Sequence, residues 1–246
     1  MLPEISVVLP AYNEEEAVGS VIDSFAHELR AKGRTFEIIV VDNNSSDSTN
    51  AIATQKGVRV VIEAKQGYGY ACIRGLSEAN GKMVFLTEAD DSFSPRDLWK
   101  MLSYLEEEDI EVVFGTRTTL ELVERGAKMG WLLHWGNFFL GKLIQIQFWN
   151  RCRLSDVGCT FKGIKREALL RVEKNFGEGG PAFSPEMIIW CLKAGLRTVE
   201  IPIRYRRRIG QSKVTSNNWK SILIGFRMLK LILTQRFWKN SAEVEN

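Results

Sequence analysis

Residues 5–49 read ISVVLPAYNEEEAVGSVIDSFAHELRAKGRTFEIIVVDNNSSDST, and this stretch decides the fold. ISVVLP (5–10) and FEIIVVD (36–42) are β-branched runs, the pattern of buried strands. Between them the apolar positions 18, 21, 22, 25 and 29 share one helical face, and Gly33 marks the end of that helix. The pattern then repeats. DSTNAIATQKG reads as a second helix closed by Gly57. VRVVIEA, GYACIRGLSEANG, KMVFLTEAD, SPRDLWKMLSYLEEED and IEVVFGTR continue as strand, helix, strand, helix, strand. Five strands alternating with helices predict an α/β fold, a mostly parallel sheet flanked by helices on both faces.

The 246 residues show no linker, repeat or low-complexity stretch and are expected to form one domain with a decorated C-terminal third. Hydrophobic residues make up 45% and charged residues 26%, which excludes a disordered chain. The start, MLPEISVVLPAYNEEE, has no basic region before its apolar run, so no signal peptide is expected. Cys72, Cys152, Cys159 and Cys191 form no CxxC pair, and reduced thiols in a cytoplasmic protein are the simplest reading. The net charge of +3 hides an asymmetry. Residues 1–196 carry 22 basic against 27 acidic side chains, whereas residues 197–239 carry 11 basic side chains against Glu200 alone. A basic C-terminal segment on an acidic body points to a phosphate, nucleic acid or anionic membrane partner.

In a parallel sheet, ligands bind beyond the carboxyl ends of the strands. The loops there are polar: PAYNEEE, DNNSSDS, EAKQGYGY and EADDSFSP bring Asp42, Asp47, Glu88, Asp90 and Asp91 to one rim. Clustered carboxylates repel, and hard oxygen ligands suit Mg²⁺ or Mn²⁺. Asp and Ser are also ordinary turn and N-cap residues, the alternative use of each loop taken singly. A nicotinamide-binding site is disfavoured, because Pro10-Ala11-Tyr12-Asn13 stands where G-x-G-x-x-G belongs.

These residues carry a resemblance. VVLPAYNEEE, VVDNNSSDST, KQGYGYACIRGL, LTEADDSFSP, VFGTR and DVGCTFKGIKREAL follow in the order seen in family 2 glycosyltransferases of GT-A (Rossmann-like) fold. EIPIRYRRRIGQSKVT resembles the V-P-I…R-x-x-G-x-S-K signature of the dolichyl-phosphate mannose or glucose synthase-like branch, whose members move a sugar from a nucleotide donor to a polyprenyl phosphate. The likeness spans about residues 4–215. It implies a GT-A domain over 1–215, with a nucleotide-sugar half to about 116 and an acceptor half from 117, and a basic amphipathic helix and tail over 216–246.

The resemblance also implies roles. Pro10, Tyr12 and Glu14 match the donor-nucleotide wall, and Asp42 matches the acid that reads the base, which a carboxylate does by accepting from a uracil or guanine N–H edge. Gly67 and Gly69 would let backbone approach the nucleotide, a plain turn being their other use. The family's Asp-x-Asp is here Glu88-Ala89-Asp90, so Glu88 sets its carboxylate one methylene farther out; Asp90, with or without Glu88, would hold Mg²⁺ or Mn²⁺. The metal would neutralise a diphosphate leaving group. An acceptor phosphate is already anionic, so no general base is demanded. Arg117, Arg207, Ser212 and Lys213 are expected to bind it, Arg as a planar fork and Lys as a mobile point charge. Against this, Arg204, Arg206, Arg207 and Arg208 also read as a surface charge run. Glu186 in SPEMIIW matches an acidic position of the branch, though helix N-terminal chemistry explains it as well.

Two apolar segments remain. MGWLLHWGNFFLGKLIQIQFW (129–149) carries a polar stripe of His134, Asn137, Gly141, Lys142 and Gln145 beside a wide aromatic face. WKSILIGFRMLKLILTQRFWK (219–239) carries a basic seam of Lys220, Arg227 and Lys230. Both read as interfacial helices on a membrane surface rather than spans, since a basic residue at a bilayer centre costs about 2.5–3.5 kcal/mol. Core packing or a homo-oligomer contact is the alternative use. Taken together, the expectation is an inverting, metal-dependent transferase. It would move a hexose from a nucleotide sugar (GDP-mannose or UDP-glucose/UDP-GlcNAc type) to a polyprenyl phosphate at the cytoplasmic membrane face. The inversion is implied by the resemblance. A family 2 transferase with another glycan or a soluble acceptor is the alternative among enzymes. A peripheral membrane-binding module without activity, or a nucleic-acid binder, leaves the acidic rim unexplained, and no RNA-binding aromatic signature is present.

Overall fold

A computed structural model of the chain describes residues 2–107, 109–127, 131–149, 151–210 and 218–235. The five expected strands are present: β1 (Ile5–Ala11), β2 (Phe36–Asp42), β3 (Arg59–Ile62), β4 (Met83–Leu86) and β5 (Val112–Thr116). Two more join them, β6 (Lys162–Lys165) and β7 (Thr198–Pro202), in a seven-stranded sheet of order β3-β2-β1-β4-β6-β5-β7. β1 pairs in parallel with β2 and β4, β2 with β3, and β5 with β7. β6 is antiparallel to both β4 and β5.

All seven residues of β1 are buried, because helices cover both faces of the sheet. Val7 and Leu9 pack on one face against Val18, Val21, Ile22 and Phe25 of α1 (Val18–Ala31) and Leu98, Met101 and Leu105 of α4 (Asp97–Glu106). Val8 points to the other face, among Ala71, Cys72 and Leu76 of α3 (Tyr68–Glu78). Period-two alternation in the strand meets period-3.6 stripes in the helices, and that match builds the two cores. α2 (Thr49–Gln55) follows β2, and α6 (Arg166–Val172) follows β6.

The C-terminal third completes the second face. α7 (Phe183–Lys193) buries every residue from Phe183 to Leu192, Glu186 included. α5 (Trp131–Gln147) and α8 (Asn218–Gln235) pack on one another, and α8 also packs on α7. α8 buries Met228, Leu231, Ile232 and Gln235, and α5 buries Ile144. So each of these helices has one face in the core. Their outer faces still expose Trp135, Phe139 and Ile146 on α5 and Leu223, Phe226 and Leu233 on α8, each about half exposed or more. No described helix is long and apolar enough to cross a membrane.

Candidate active site

The carboxyl ends of β1, β2 and β4, with the neighbouring loops, open into a cavity of about 420 Å³. Its polar end is lined by Tyr12, Glu14, Asn43, Glu88, Asp90, Arg117 and Arg208. Its other end lies between α5 and α8 and is lined mainly by Leu140, Ile224 and Met228, with Asn137 and Ser221 beside them. One hollow therefore joins a charged floor to an apolar mouth.

Asp90 follows β4 and is 1% exposed. Its Oδ1 accepts the Ser92 amide at 2.9 Å, whereas its Oδ2 accepts no hydrogen bond. That oxygen meets Arg208 Nη2 at 2.8 Å as an ion pair without hydrogen-bond geometry. Asp91, at φ 62°, turns outward and pairs with Arg206 at 2.8 Å. Glu88 Oε1 accepts the Thr160 hydroxyl at 3.0 Å. Burial, and then the Asp90 carboxylate, push the Glu88 carboxyl well above the ordinary range, although the Arg208 guanidinium pulls the other way. A buried oxygen without a donor beside a second carboxylate suits a hard divalent cation. Among the described residues no cluster of three or more His, Cys, Asp or Glu could hold a metal. The donor set fits a cation that takes one or two carboxylates and completes its shell with substrate phosphates and water.

Several expected residues stand elsewhere than the sequence suggested. Pro10, Tyr12, Glu14 and Gly67 line the cavity; Asp42 and Gly69 do not. Asp42 is buried, and its two oxygens accept the Ser45 amide and the Asn50 side-chain amide, each at 3.0 Å. The adjacent Asn43 is not marked by the sequence pattern. Its amide nitrogen donates to the carbonyls of Glu63 and Lys65, and its oxygen accepts the Gly67 amide at 2.8 Å, fastening the loop after β3 to the end of β2. The glycines also have a structural reason within the fold. A Cβ on Gly69 would lie 1.9 Å from the carbonyl oxygen of Glu178, and one on Gly67 2.3 Å from that of Gly179. Bare Cα atoms are needed there because the Gly179 carbonyl accepts the amides of Gly69 and Tyr70, at 2.9 and 3.3 Å.

Among the arginines, Arg117 reaches the cavity and Arg207 does not. Arg207 is exposed, and its amide donates to Glu124 at 2.8 Å. The neighbouring Arg208 lines the cavity instead. Arg117 is clamped on Asp156 by bonds of 2.7 and 2.9 Å from its guanidinium and 3.1 Å from its amide, and lies 5.1 Å from the centre of the Tyr205 ring. Burial alone would lower the Arg117 pKa, and Asp156 more than reverses it, so the side chain stays charged. Ser212 and Lys213 lie outside the described residues.

Two further buried groups are charged side chains, one of them Glu186. Lys162 of β6 is 1% exposed; its amine donates to Ser184 Oγ at 2.7 Å and to the Cys159 carbonyl, and burial draws its pKa down. Glu186 accepts the amides of Gly177 and Glu178, and Gln235 of α8 donates to it at 3.4 Å. Glu178 in turn pairs with Arg227 of α8 at 2.6 Å. The loop at 177–180 thus ties the first turn of α3 to the C-terminal helix.

This architecture is matched in known proteins. The profile described as Glycosyl transferase family 2 matches residues 6–172. A dolichyl-phosphate hexose transferase of Haloferax volcanii is 31% identical over 212 residues, 86% of each chain. An uncharacterized glycosyltransferase of Mycobacterium tuberculosis is 30% identical over 229 residues, covering 93% of this chain and 97% of that one. Among solved structures, glucosyl-3-phosphoglycerate synthase from Mycobacterium tuberculosis, crystallised with Mn²⁺, UDP and phosphoglyceric acid, superposes with a TM-score of 0.71 at 21% identity, over 97% of this chain and 80% of that one. At that identity the likeness is one of fold, and the fold is GT-A. With two thirds of its length matching the profile, the chain is an enzyme that belongs to glycosyl transferase family 2.

Proposed function

We propose that this glycosyltransferase moves a hexose from a nucleotide sugar to a polyprenyl phosphate, with inversion, at the cytoplasmic face of a membrane. The observation that carries the reading is the two-ended cavity: acids and arginines at the strand ends, and an apolar mouth between α5 and α8. A soluble acceptor has no use for that mouth. The Haloferax relative described as a dolichyl-phosphate hexose transferase supports the same acceptor class. The solved structures with Mn²⁺ and UDP-glucose support a nucleotide-sugar donor and a divalent cation.

In this reading Asp90, with Glu88 deprotonated beside it, holds Mg²⁺ or Mn²⁺. The cation, when bound, neutralises charge on the leaving diphosphate. Pro10, Tyr12, Glu14, Asn43 and Gly67 form the donor wall, and Asp42 acts one step back by fixing the 42–50 turn. An oxygen of the acceptor phosphate forms the new bond to the anomeric carbon as the bond from that carbon to the diphosphate oxygen breaks. Arg117, aimed by Asp156, and Arg208 position that oxygen through their guanidinium N–H donors. Ser212 and Lys213 serve the same phosphate. The outer faces of α5 and α8, with Arg227 and Lys230, rest on an anionic membrane surface.

The test is a panel of GDP-mannose, UDP-glucose and UDP-GlcNAc, each labelled in the sugar, incubated with membrane lipid extract with and without Mn²⁺. Metal-dependent label in the organic phase from one donor is expected. Label confined to a water-soluble product would overturn the acceptor class.

A further inference from the structure

Arg208 holds an unusual position for a phosphate-binding cation. Its Nη2 lies 2.8 Å from Asp90 Oδ2 and 3.4 Å from Glu14 Oε1, and its Nε, although buried, has no hydrogen-bond partner. Asp90 Oδ2 is the buried oxygen that accepts no hydrogen bond. The guanidinium therefore sits against the very oxygen that a divalent cation would need. Two cations on one carboxylate oxygen repel at close range in a poorly solvated site.

We propose that Arg208 is the resident counter-ion of Asp90 in the empty enzyme, and that the divalent cation displaces it when the donor binds. This rests on the reading that Asp90 holds the metal. The backbone permits the exchange. Ile209 N donates to the Asp90 carbonyl at 2.9 Å and Arg206 N to the Ser92 carbonyl at 2.8 Å, while Arg206 pairs with Asp91. Those bonds stitch the segment to the turn after β4 whatever the Arg208 side chain does. That side chain lines the cavity and is one quarter exposed, so it can swing away from Asp90 without moving the chain. Once released, it is free to meet a phosphate oxygen.

The exchange has two consequences. The cation must compete with a tethered guanidinium, so it binds weakly until a nucleotide diphosphate supplies further ligands. Arg208 becomes available to a phosphate only after the metal has loaded, which favours donor before acceptor.

The experiment is Mn²⁺ titration followed by the electron paramagnetic resonance signal of free Mn²⁺, without nucleotide, on wild type, Arg208→Met and Arg208→Gln. Each variant is checked by circular dichroism; the Gln variant keeps a donor for Asp90 and serves if the Met variant does not fold. Removing one tethered positive charge should tighten binding roughly tenfold or more. The gain should vanish in Arg208→Met/Asp90→Asn. Variants that bind Mn²⁺ no more tightly than wild type overturn the exchange. A parallel titration with UDP and with GDP separates the two claims: Asp90→Asn that binds Mn²⁺ as wild type does with both nucleotides sinks the metal assignment itself.

Discussion

The guanidinium of Arg117 and the carboxylate of Asp156 form a two-pronged pair at 2.7 and 2.9 Å, with the Arg117 amide adding a third bond to the same acid. Ser155 and Asp156 are held from behind by Glu200 of β7, which accepts both their amides and the Ser155 hydroxyl. The cavity arginine is thus aimed by two acids in series. Burial alone would raise the Asp156 pKa, but Arg117 outweighs it and holds the carboxyl below its usual range. A depressed folded pKa gives stability that is full above the unfolded value near 3.8 and lost as pH falls through the folded one. Asp156→Ala leaves a buried cation unpaired and should cost about 3–5 kcal/mol in urea unfolding at pH 7. A loss under about 1 kcal/mol would contradict the pairing as described.

Glycines in the cavity region should respond in opposite directions. Gly69→Ala drives a methyl into the Glu178 carbonyl and should cost about 1–3 kcal/mol or more. Gly136, in the middle of α5, has no atom within 4 Å of its added Cβ. Gly136→Ala should raise stability by about 0.5–1 kcal/mol through helix propensity alone. Thermal melting of the two variants beside wild type checks both signs.

Glu186 should make stability fall with rising pH. Burial pushes its carboxyl up to about 7, although the Glu178 and Gly177 amides pull the other way and Glu178 adds to the rise. With the folded value above the unfolded one near 4.5, its contribution is full below pH 4.5 and is lost as pH rises through 7. The change is roughly 3 kcal/mol at most. Melting of wild type and Glu186→Gln from pH 5 to 8 should show the wild type losing ground to the variant; parallel curves would contradict the assignment.

The two aspects of the molecule differ in how much the chain pattern reveals. Buried parallel strands announce themselves as unbroken β-branched runs, so β1 to β5 were legible. β6 was not, because KGIK has lysines at both ends, and nothing in a pattern says that Lys162 turns inward onto Ser184. Asp90 was legible as an acid at the end of an apolar strand. Arg208 was hidden among four arginines in five residues, since only the fold shows that 206 and 208 face Asp91 and Asp90 while 207 faces out. Gly67 and Gly69 were visible as glycines, but their neighbour, the 178–179 backbone, is more than a hundred residues away. Glu186 offered one clue, an acid inside a helix apolar all round.

The outer faces of α5 and α8 should bind lipid. Phe139→Ser together with Phe226→Ser should release the protein from anionic vesicles, each aromatic being worth about 1.5–3 kcal/mol if fully buried. Melting should be unchanged, because both side chains are some two thirds exposed. Co-sedimentation with vesicles gives the answer. Equal sedimentation of variant and wild type, with dimer lost on gel filtration, would assign the faces to a second copy instead.

The most direct measurement offers the enzyme two acceptors at once, a short-chain detergent-soluble polyprenyl phosphate and 3-phosphoglycerate, with the donor identified by the panel and with Mn²⁺. Mass spectrometry of the products reads the choice without any membrane. Wild type should yield hexosyl prenyl phosphate, Asp90→Asn none, and Arg208→Lys should show a raised acceptor requirement. Glucosylated or mannosylated phosphoglycerate as the main product, or undiminished turnover in Asp90→Asn, would contradict the proposed function.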